Sequence, residues 1–227
     1  MSGPVDERRP SGDGRTTIVY VDGFNLFYGA LKGKGPGCKW LDLRALCGRL
    51  LPGNDIVRIR YFTARVSARP HDPQLPDRQQ AYLRALGSLP EVTVHHGEFK
   101  VSYPWMPLHD PAAPPTQAPR RARVIKTEEK GSDVNIATYM VLDACRQDCD
   151  VAVVVTNDSD LREPVRLVRE ELGRSVGVVN PHETAKRSRS LEATFFRQLR
   201  PNVVRQCQFP DLVKDAHGRP VQKPSGW

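Results

Sequence analysis

The sequence contains 227 residues, has 39% hydrophobic content and carries a formal net charge of +8. This length fits one domain with appendages, and the hydrophobic content is enough for a buried core. No apolar run approaches the roughly 18 residues of a membrane span, residues 1–15 lack the apolar centre of a secretory signal, and an odd number of cysteines argues against a disulfide framework. We therefore expect a cytoplasmic protein without a membrane partner, with a disordered tail over residues 1–15 and a basic surface that suits a polyanion.

The first predicted strand covers residues 16–21, where β-branched residues predominate, and an acid follows it directly. Asp22 is therefore a candidate site residue. Two structural alternatives are a simple Asp22-Gly23 turn and a helix that begins at Leu26 with Asn25 as its cap. A second acid in the same setting, after a later strand, favours the functional interpretation.

Strands and helices alternate in the following part of the chain. The pattern predicts helices near residues 41–51 and 76–89 and strands at residues 55–66 and 91–99. Such alternation indicates βαβ units with right-handed crossovers. The expected fold class is therefore α/β with a mostly parallel central sheet.

A proline-rich segment interrupts this alternation between residues 103 and 119. Because proline lacks an N–H and restricts the backbone, we expect a long surface loop there, within an insertion at about residues 101–122. Residues 97–101 and 120–127 flank the loop and are expected to pair as a hairpin. Although a charge run is usually only a solvated face, we interpret the cations of the second flank as a phosphate-contacting surface: Arg120, Arg121, Arg123, Lys126 and Lys130.

Asp133 follows the cationic run and opens the next predicted helix, whose apolar stripe begins at Val134. Ser132 is the expected N-cap, which places Asp133 in the first turn, where the helix dipole favours a negative charge. That position explains an acid at residue 133 without any catalytic or metal-binding role. It would also hold the carboxylate rigid at the lip of the crevice that Asp22 borders.

The most informative stretch is the apolar run at residues 151–155, which is typical of a strand buried on both faces of a parallel sheet. The turn that leaves this strand carries hydroxyl, amide and carboxylate groups on Thr156, Asn157, Asp158 and Asp160. Ligands of open α/β sheets bind outside the carboxyl ends of the strands, so both acids are candidate site residues. The structural alternative is that Asp160 caps the following helix and Glu163 completes a capping box.

The last part of the chain gives weaker signals. A fifth strand is expected at residues 173–179, and a short helix is expected after Ser190 and Leu191. Residues 197–227 end in a stretch rich in glycine and proline, so we expect an irregular C-terminal extension there.

Three blocks stand in order along the chain: residues 20–26 (YVDGFNL), 129–135 (EKGSDVN) and 156–161 (TNDSDL). With the strands and helices around them, these blocks resemble the NYN domain, a branch of the PIN-like metal-dependent ribonucleases, and especially its bacterial LabA-like group. The resemblance covers about residues 16–196. It implies a PIN-like three-layer α/β/α fold with a mostly parallel central sheet.

The resemblance also implies a function and a set of site residues. In that family, acids at these positions bind a divalent cation, usually Mg²⁺ or Mn²⁺, for hydrolysis of RNA, so the chain is expected to be a metal-dependent endoribonuclease. The match assigns both metal binding and catalysis to Asp22, Asp133, Asp158 and Asp160. The expected supporting polar groups are Asn25, Thr156 and Asn157. Hard cations prefer oxygen ligands, and a metal that activates water makes a histidine base unnecessary.

Two other interpretations of the same residues remain open. The first is a non-catalytic RNA-binding or scaffold protein that keeps the NYN fold and the cationic flank. The second is a Toprim-like or sugar-nucleotide enzyme that uses Asp158 and Asp160 as a DxD metal motif, although a Toprim site requires a glutamate where this chain has Asp22. The expected partner is RNA, single-stranded or structured, and a homodimer is a further open alternative.

Overall fold

A computed structural model of the protein describes residues 14–35, 37–109, 111, 118–183, 188 and 190–227. Most of the expected disordered tail therefore lies outside the described residues, whereas Arg15 already begins the first strand. No helix in the described ranges is long and apolar enough to cross a membrane.

The described residues follow the alternating order of strands and helices that the sequence predicts. The strands are β1 (Arg15–Asp22), β2 (Asn54–Ala64), β3 (Val92–Ser102), β4 (Trp105–Pro107), β5 (Arg121–Arg123), β6 (Lys126–Lys130), β7 (Val151–Val155), β8 (Ser175–Asn180), β9 (Phe195–Gln198), β10 (Leu212–Lys214) and β11 (Pro220–Gln222). The helices are α1 (Gly23–Leu26), α2 (Leu43–Leu50), α3 (Leu75–Leu86), α4 (Ser132–Cys145), α5 (Arg162–Arg166) and α6 (Pro201–Gln206). Helices α1 and α5 continue as π turns over Phe27–Leu31 and Leu167–Glu171, and a 3₁₀ turn at Ser159–Leu161 precedes α5.

Seven of the described strands form one sheet in the order β6-β3-β2-β1-β7-β8-β9. Neighbouring strands are parallel from β3 to β9, and the edge strand β6 is antiparallel to β3. The chain first builds the sheet on one side of β1 and later returns to place β7 on the other side. This reversal is a topological switch point, which opens a crevice at the carboxyl ends of β1 and β7.

Alternate residues of the central strands face two separate cores. Val19 and Val21 of β1 pack with residues of α2, α3 and the C-terminal segment. Ile18 and Tyr20 pack on the opposite face with residues of α4 and α5. Helices therefore cover both faces of the sheet, and the predicted three-layer, PIN-like α/β/α fold is confirmed.

Strand β9 and the C-terminal segment differ from the sequence expectation. The short helix expected after Ser190 and Leu191 is wrong, because Phe195 and Phe196 begin a strand that pairs in parallel with the buried strand β8. Aromatic residues fit a pleated, half-buried surface, and pairing with a buried neighbour outweighs local preference. Residues 197–227 are not irregular throughout, since they include α6 and the β10–β11 hairpin.

A hairpin extends from the sheet edge, as the sequence predicts, but the predicted pairing is wrong, because residues 98–102 pair with residues 126–130 and not with residues 120–125. Strand β3 pairs with β6, and beyond them β4 and β5 form a two-stranded ribbon. The expectation of a loop throughout residues 103–119 is wrong for Trp105–Pro107, because Pro107 occupies the end of a short edge strand, where proline is tolerated. Residues 110 and 112–117 of the expected insertion lie outside the described residues. We call residues 98–109 and 118–130 the arm.

A buried ion pair fixes α4 against the sheet. Asp143 of α4 is fully buried, and its carboxylate accepts hydrogen bonds from the guanidinium of Arg60 at 2.7 and 2.8 Å. The hydroxyl of Tyr20 donates to the same carboxylate at 2.8 Å. The guanidinium of Arg60 also lies 4.3 Å from the ring centre of Tyr139. These contacts join β1, β2 and α4, the helix whose first turn contains Asp133.

Replacing Asp143 by Asn should lower the free energy of unfolding by about 3 kcal/mol, because the buried Arg60 would lose its charge partner and face an amide NH₂ group. The matched control is Asp148→Asn, which removes a more exposed acid 3.6 Å from Arg58 and should cost less than about 1 kcal/mol. Urea unfolding followed by circular dichroism measures both changes. Equal, small losses in the two variants would show that the buried pair does not hold α4 in place.

Candidate functional site

The polar turn after β7 lies beside the end of β1. The two strands pair in parallel, with Val21 opposite Val155. Asp22 is the last residue of β1, and Thr156 begins the turn that leads to Asp158. Both acids therefore lie at the switch point of the sheet.

Asp22 is almost fully buried at the end of β1. Its Oδ1 accepts a hydrogen bond from the Asn25 N–H at 2.9 Å, and its Oδ2 accepts one from the Thr156 hydroxyl at 3.3 Å. Asp22 is therefore the N-cap of α1, which begins at Gly23. The alternative in which Asn25 caps a helix from Leu26 is wrong, because the Asp22 carboxylate already satisfies the first turn and Asn25 lies inside the helix.

Gly23 allows β1 to turn into α1 close to the neighbouring strand. A Cβ atom at this position would lie 2.6 Å from the carbonyl oxygen of Phe62 and 2.8 Å from the Tyr61 hydroxyl. These distances are well inside van der Waals contact, so a side chain does not fit without a shift of β2. The Asp22-Gly23 turn thus has a structural purpose, and the same turn places the Asp22 carboxylate at the crevice.

The hydroxyl of Thr156 connects two of the acids. Thr156 is fully buried, and its Oγ1 donates to Asp22 and accepts a hydrogen bond from the Asp158 N–H at 3.1 Å. Oδ1 of Asp158 accepts the Asp160 N–H at 3.0 Å, so Asp158 is the N-cap of the 3₁₀ turn. The proposed cap by Asp160 is wrong, because this turn moves the cap to Asp158 and leaves Leu161 at the N-cap position of α5. Asp160 is exposed at the rim.

The third acidic segment begins where the arm joins α4. Gly131 adopts a φ of 99°, in the left-handed region that favours glycine, and occupies the N-cap position. The predicted N-cap role of Ser132 is wrong, because its N–H and hydroxyl both donate to Oε1 of Glu129, at 3.2 and 2.8 Å. Asp133 lies in the first turn of α4, as predicted.

The acids from these three segments act on one another electrostatically. Burial raises the pKa of Asp22 to about 6, with further contributions from the charges of Asp133 and Asp158, although the backbone hydrogen bond to its carboxylate opposes this. Partial burial raises the pKa of Asp133, and so do the charges of Asp158, Glu129 and Asp160. The four predicted acids are therefore near enough to influence one another electrostatically, and Glu129 lies near Asp133.

The donors of this crevice suit a hard divalent cation. They are carboxylate, amide and hydroxyl oxygens. A cation would offset both the burial that mainly raises the pKa values and the smaller repulsion between the acids. Within the described part of the chain, no group of three or more His, Cys, Asp or Glu could hold a metal ion on its own. Such a crevice fits Mg²⁺, which keeps several waters and uses one or two carboxylates with substrate oxygens, better than it fits an ion enclosed by protein.

A second set of hydrogen bonds links the acidic turn to neighbouring segments. Oδ1 of Asn25 accepts the Asn157 N–H at 3.1 Å and lies 3.0 Å from Nε2 of His182. Oδ1 of Asn157 accepts the Ser188 N–H at 2.8 Å. His182 and Glu129 were not predicted as site neighbours. The signal for His182 is its position just after β8, at the same edge of the sheet.

The predicted cations lie along the arm. Arg121 and Arg123 belong to β5, Arg120 precedes them, and all three are exposed. Both lysines of β6 form ion pairs with Glu128: Lys126 at 2.9 Å and Lys130 at 3.5 Å. The arginines therefore supply most of the uncompensated positive charge among the described residues of the arm.

The NYN domain model matches residues 16–199. This range covers most of the chain, and the parallel sheet with both faces covered agrees with a PIN-like fold. The protein therefore belongs to the NYN domain family. Membership of the LabA-like branch stays a prediction.

Two known proteins are similar to this chain over most of its length. One is 6-hydroxy-3-succinoylpyridine 3-monooxygenase HspA from Pseudomonas putida (strain DSM 28022 / S16), which is 29% identical over 250 residues that span 97% of this chain and 78% of the relative. The other is a protein of unknown function from Vibrio parahaemolyticus RIMD 2210633, whose crystal structure is 16% identical. That comparison covers 85% of this chain and 97% of the other, with a TM-score of 0.48.

The metal-free protein should lose stability as pH rises towards 7. Because the pKa of Asp22 is raised from 3.8 to about 6, the folded state binds a proton more tightly than the unfolded state does. The resulting stabilisation is fully present below the unfolded pKa and is lost as pH rises through the folded pKa. Asp22→Asn keeps a good N-cap without the charge, so it should flatten this pH dependence and raise the melting temperature at pH 7.

Thermal unfolding in chelator, between about pH 4 and pH 7, measures this effect of Asp22. Asp211→Asn is the control, since that side chain is 76% exposed and pairs with Lys223 elsewhere on the surface. Identical pH profiles for the wild type and Asp22→Asn would contradict the assignment of the raised pKa to the Asp22 carboxyl.

Proposed function

We propose that the protein is a divalent-metal-dependent endoribonuclease that hydrolyses RNA phosphodiester bonds at the crevice between β1 and β7. The observation that carries this proposal is the position of the acids at the switch point of a NYN fold, where the Thr156 hydroxyl joins Asp22 to Asp158 and Asp133 adds its charge. Asp22 and Asp158 cap turns and Asp133 opens a helix, but these local roles do not require the acids to influence one another, and clustered like charges lower stability. In a basic protein, acids at one crevice also repel phosphate unless a cation bridges the two.

The ion would be held by one or two carboxylates at a time, together with waters and substrate oxygens, from four candidate side chains: Asp22, Asp133, Asp158 and Asp160. When bound, Mg²⁺ or Mn²⁺ lowers the pKa of a water, orients the phosphate and stabilises the leaving oxygen. The four acids differ in access, since Asp22 is buried at the base of the crevice and Asp160 is exposed at its rim. Asp160 is therefore the acid best placed to reach a substrate that lies across the opening.

The surrounding residues of the chain fix where the acids lie. The buried hydroxyl of Thr156 sets Asp22 relative to Asp158 through two hydrogen bonds. Gly131 and Glu129 define the first turn of α4 and so the position of Asp133. Carboxylates fixed in this way would hold the metal ion in place, so that the ion needs no reorganisation when negative charge develops on the phosphate.

A non-catalytic RNA-binding protein is the rival within the same family. The observation in its favour is that, in the described ranges, no ready-made group of three ligands surrounds an ion position. This rival keeps the arm and the fold and uses a metal only structurally, so it requires no turnover. Cleavage that depends on added metal separates the two functions.

The name of the Pseudomonas relative introduces a second enzymatic candidate, oxygenation of a hydroxypyridine, since 97% of this chain aligns with that protein. The aspartates favour hydrolysis, because oxygen donors suit hard cations, whereas non-haem iron oxygenases typically use two histidines and one carboxylate. Consumption of 6-hydroxy-3-succinoylpyridine with oxygen and a two-electron donor, abolished by Asp158→Asn, would move the assignment to this candidate.

The first test of the nuclease proposal is cleavage of a labelled RNA with Mg²⁺ or Mn²⁺ and with EDTA. The wild type should cleave only with metal, and Asp133→Asn and Asp158→Asn should each lower the rate at least about a hundredfold, since even neighbours of metal ligands contribute about 10–100-fold. Metal should also raise the melting temperature of the wild type and not of these variants.

Asp211→Asn serves as the control in this assay, because its exposed carboxylate lies outside the crevice and should leave the rate unchanged. Circular dichroism confirms that each variant is folded. Cleavage at the wild-type rate in both crevice variants, or in EDTA, would refute the metal-site assignment.

The arm gives a separate prediction about RNA affinity. Replacing Arg120, Arg121 and Arg123 by Ala should weaken binding and reduce the slope of log Kd against log salt by about 0.7 for each single-strand phosphate that the arm no longer neutralises. Fluorescence anisotropy in EDTA at several salt concentrations measures the slope. The control replaces three exposed arginines elsewhere, Arg49, Arg69 and Arg146. An equal change of slope in both triple variants would show that the arm is only a solvated face.

A further inference from the structure

The arm exposes aromatic and aliphatic side chains beyond its charges. Six of the nine large hydrophobic side chains exposed in the described residues lie on it: Val101, Tyr103, Trp105, Met106, Leu108 and Ile125. Tyr103 is 57% exposed and Trp105 is 60% exposed. Exposed apolar side chains concentrated on one element mark an interaction site more often than isolated exposed residues do.

The strand register places aromatic and cationic groups on one face of the β4–β5 ribbon. Trp105 pairs with Arg123, and Pro107 pairs with Arg121, so these side chains share a face. The guanidinium of Arg123 lies over the ring of Tyr103, 5.9 Å from its centre, which places Tyr103 on the same side. The guanidinium of Arg121 donates to the carbonyl oxygen of Trp105 at 2.9 Å and holds its strand against β4.

The charge of this region selects among the partners that an exposed aromatic surface could bind. Residues 99–109 and 118–126 contain no acid, and their cations are Lys100, Arg120, Arg121, Arg123 and Lys126. A second copy of the arm would bring like charges together. A polyanion that also presents flat π faces satisfies both the cations and the aromatic rings.

We propose that this face of the arm binds an unpaired segment of RNA, with bases stacked on Tyr103 and Trp105 and phosphates held by Arg121 and Arg123. This inference rests on the proposed function and names its substrate class, single-stranded RNA. Base-paired RNA fits the face poorly, because each base in a duplex is already covered by its stacked neighbours. Stacking is also tolerant of sequence, since every base has a π face.

The arm is joined to the crevice at its base. Phe99 of β3 packs edge to face against Phe24 of α1, with ring centres 5.5 Å apart. Strand β6 leads through Gly131 into the first turn of α4, which contains Asp133. The arm is therefore continuous with the acidic segment of α4 and packs against the helix that follows Asp22.

The test is anisotropy in EDTA with a labelled single-stranded oligoribonucleotide, a blunt duplex of the same sequence and an abasic strand of the same length. The double variant Tyr103→Ala/Trp105→Ala should lose at least about tenfold in affinity for the single strand and little for the abasic strand, which keeps the phosphates but lacks bases. Val101→Ala/Ile125→Ala is the matched control, because it removes exposed side chains of the arm that have no π face.

Tryptophan fluorescence gives a second measurement. The chain has three tryptophans, and Trp40 is fully buried. The single strand should quench the emission of the wild type more than that of Trp105→Phe, while Trp105→Phe keeps most of the affinity.

An equal loss of affinity for the intact and abasic strands in the double variant would overturn the stacking proposal, and so would tighter binding of the duplex. A dimeric wild type that becomes monomeric in the double variant, with unchanged RNA affinity, would assign the face to a second copy.

Because binding is measured without metal, stacking without cleavage would refute the nuclease proposal alone. Chelator-sensitive cleavage by a double variant with normal RNA affinity would refute this inference alone.

Discussion

The parallel pairing of β1 with β7 is the interaction on which the candidate site depends. A threonine and an aspartate form hydrogen bonds at each end of this strand pair. At the amino end, the N–H and hydroxyl of Thr16 donate to Asp150 at 3.0 and 2.7 Å. At the carboxyl end, the hydroxyl of Thr156 donates to Asp22. The same polar chemistry thus joins the strands at both ends, and at the crevice end burial raises the cost of the Asp22 charge.

Much of this arrangement could be predicted, because the clearest patterns in the sequence are apolar runs that indicate buried strands. The apolar run at residues 151–155 has one physical explanation, a strand covered on both faces, and the acids that follow it and Asp22 must then share a sheet edge. The position of Asp133 followed from a helix start. The strand order itself was inaccessible, because pairing partners are chosen by side-chain packing between distant segments, which a single sequence does not display.

The predictions of helix caps were wrong because neighbouring polar side chains compete for the same free backbone N–H groups. Asp22 and Asp158 cap the turns assigned to Asn25 and Asp160, and Glu129 takes the hydrogen bonds that would have made Ser132 a cap. In each case several side chains within a few residues offer an oxygen, and the backbone path decides which one reaches the free N–H. That path depends on tertiary packing such as the close approach of Gly23 to β2. Local sequence preference therefore predicts where these turns lie, but it does not predict which residue caps each of them.

The separation of the acids along the chain has a consequence for protein synthesis. A nascent chain that has emerged as far as β3 contains Asp22, whereas the partner strand and its acids are still absent. The crevice forms only after β7 pairs with β1 across 134 residues, and such non-local pairing forms slowly. Incomplete chains consequently lack the assembled acidic cluster. If the protein cleaves RNA, this topology keeps truncated translation products from attacking the messages and ribosomes that surround them.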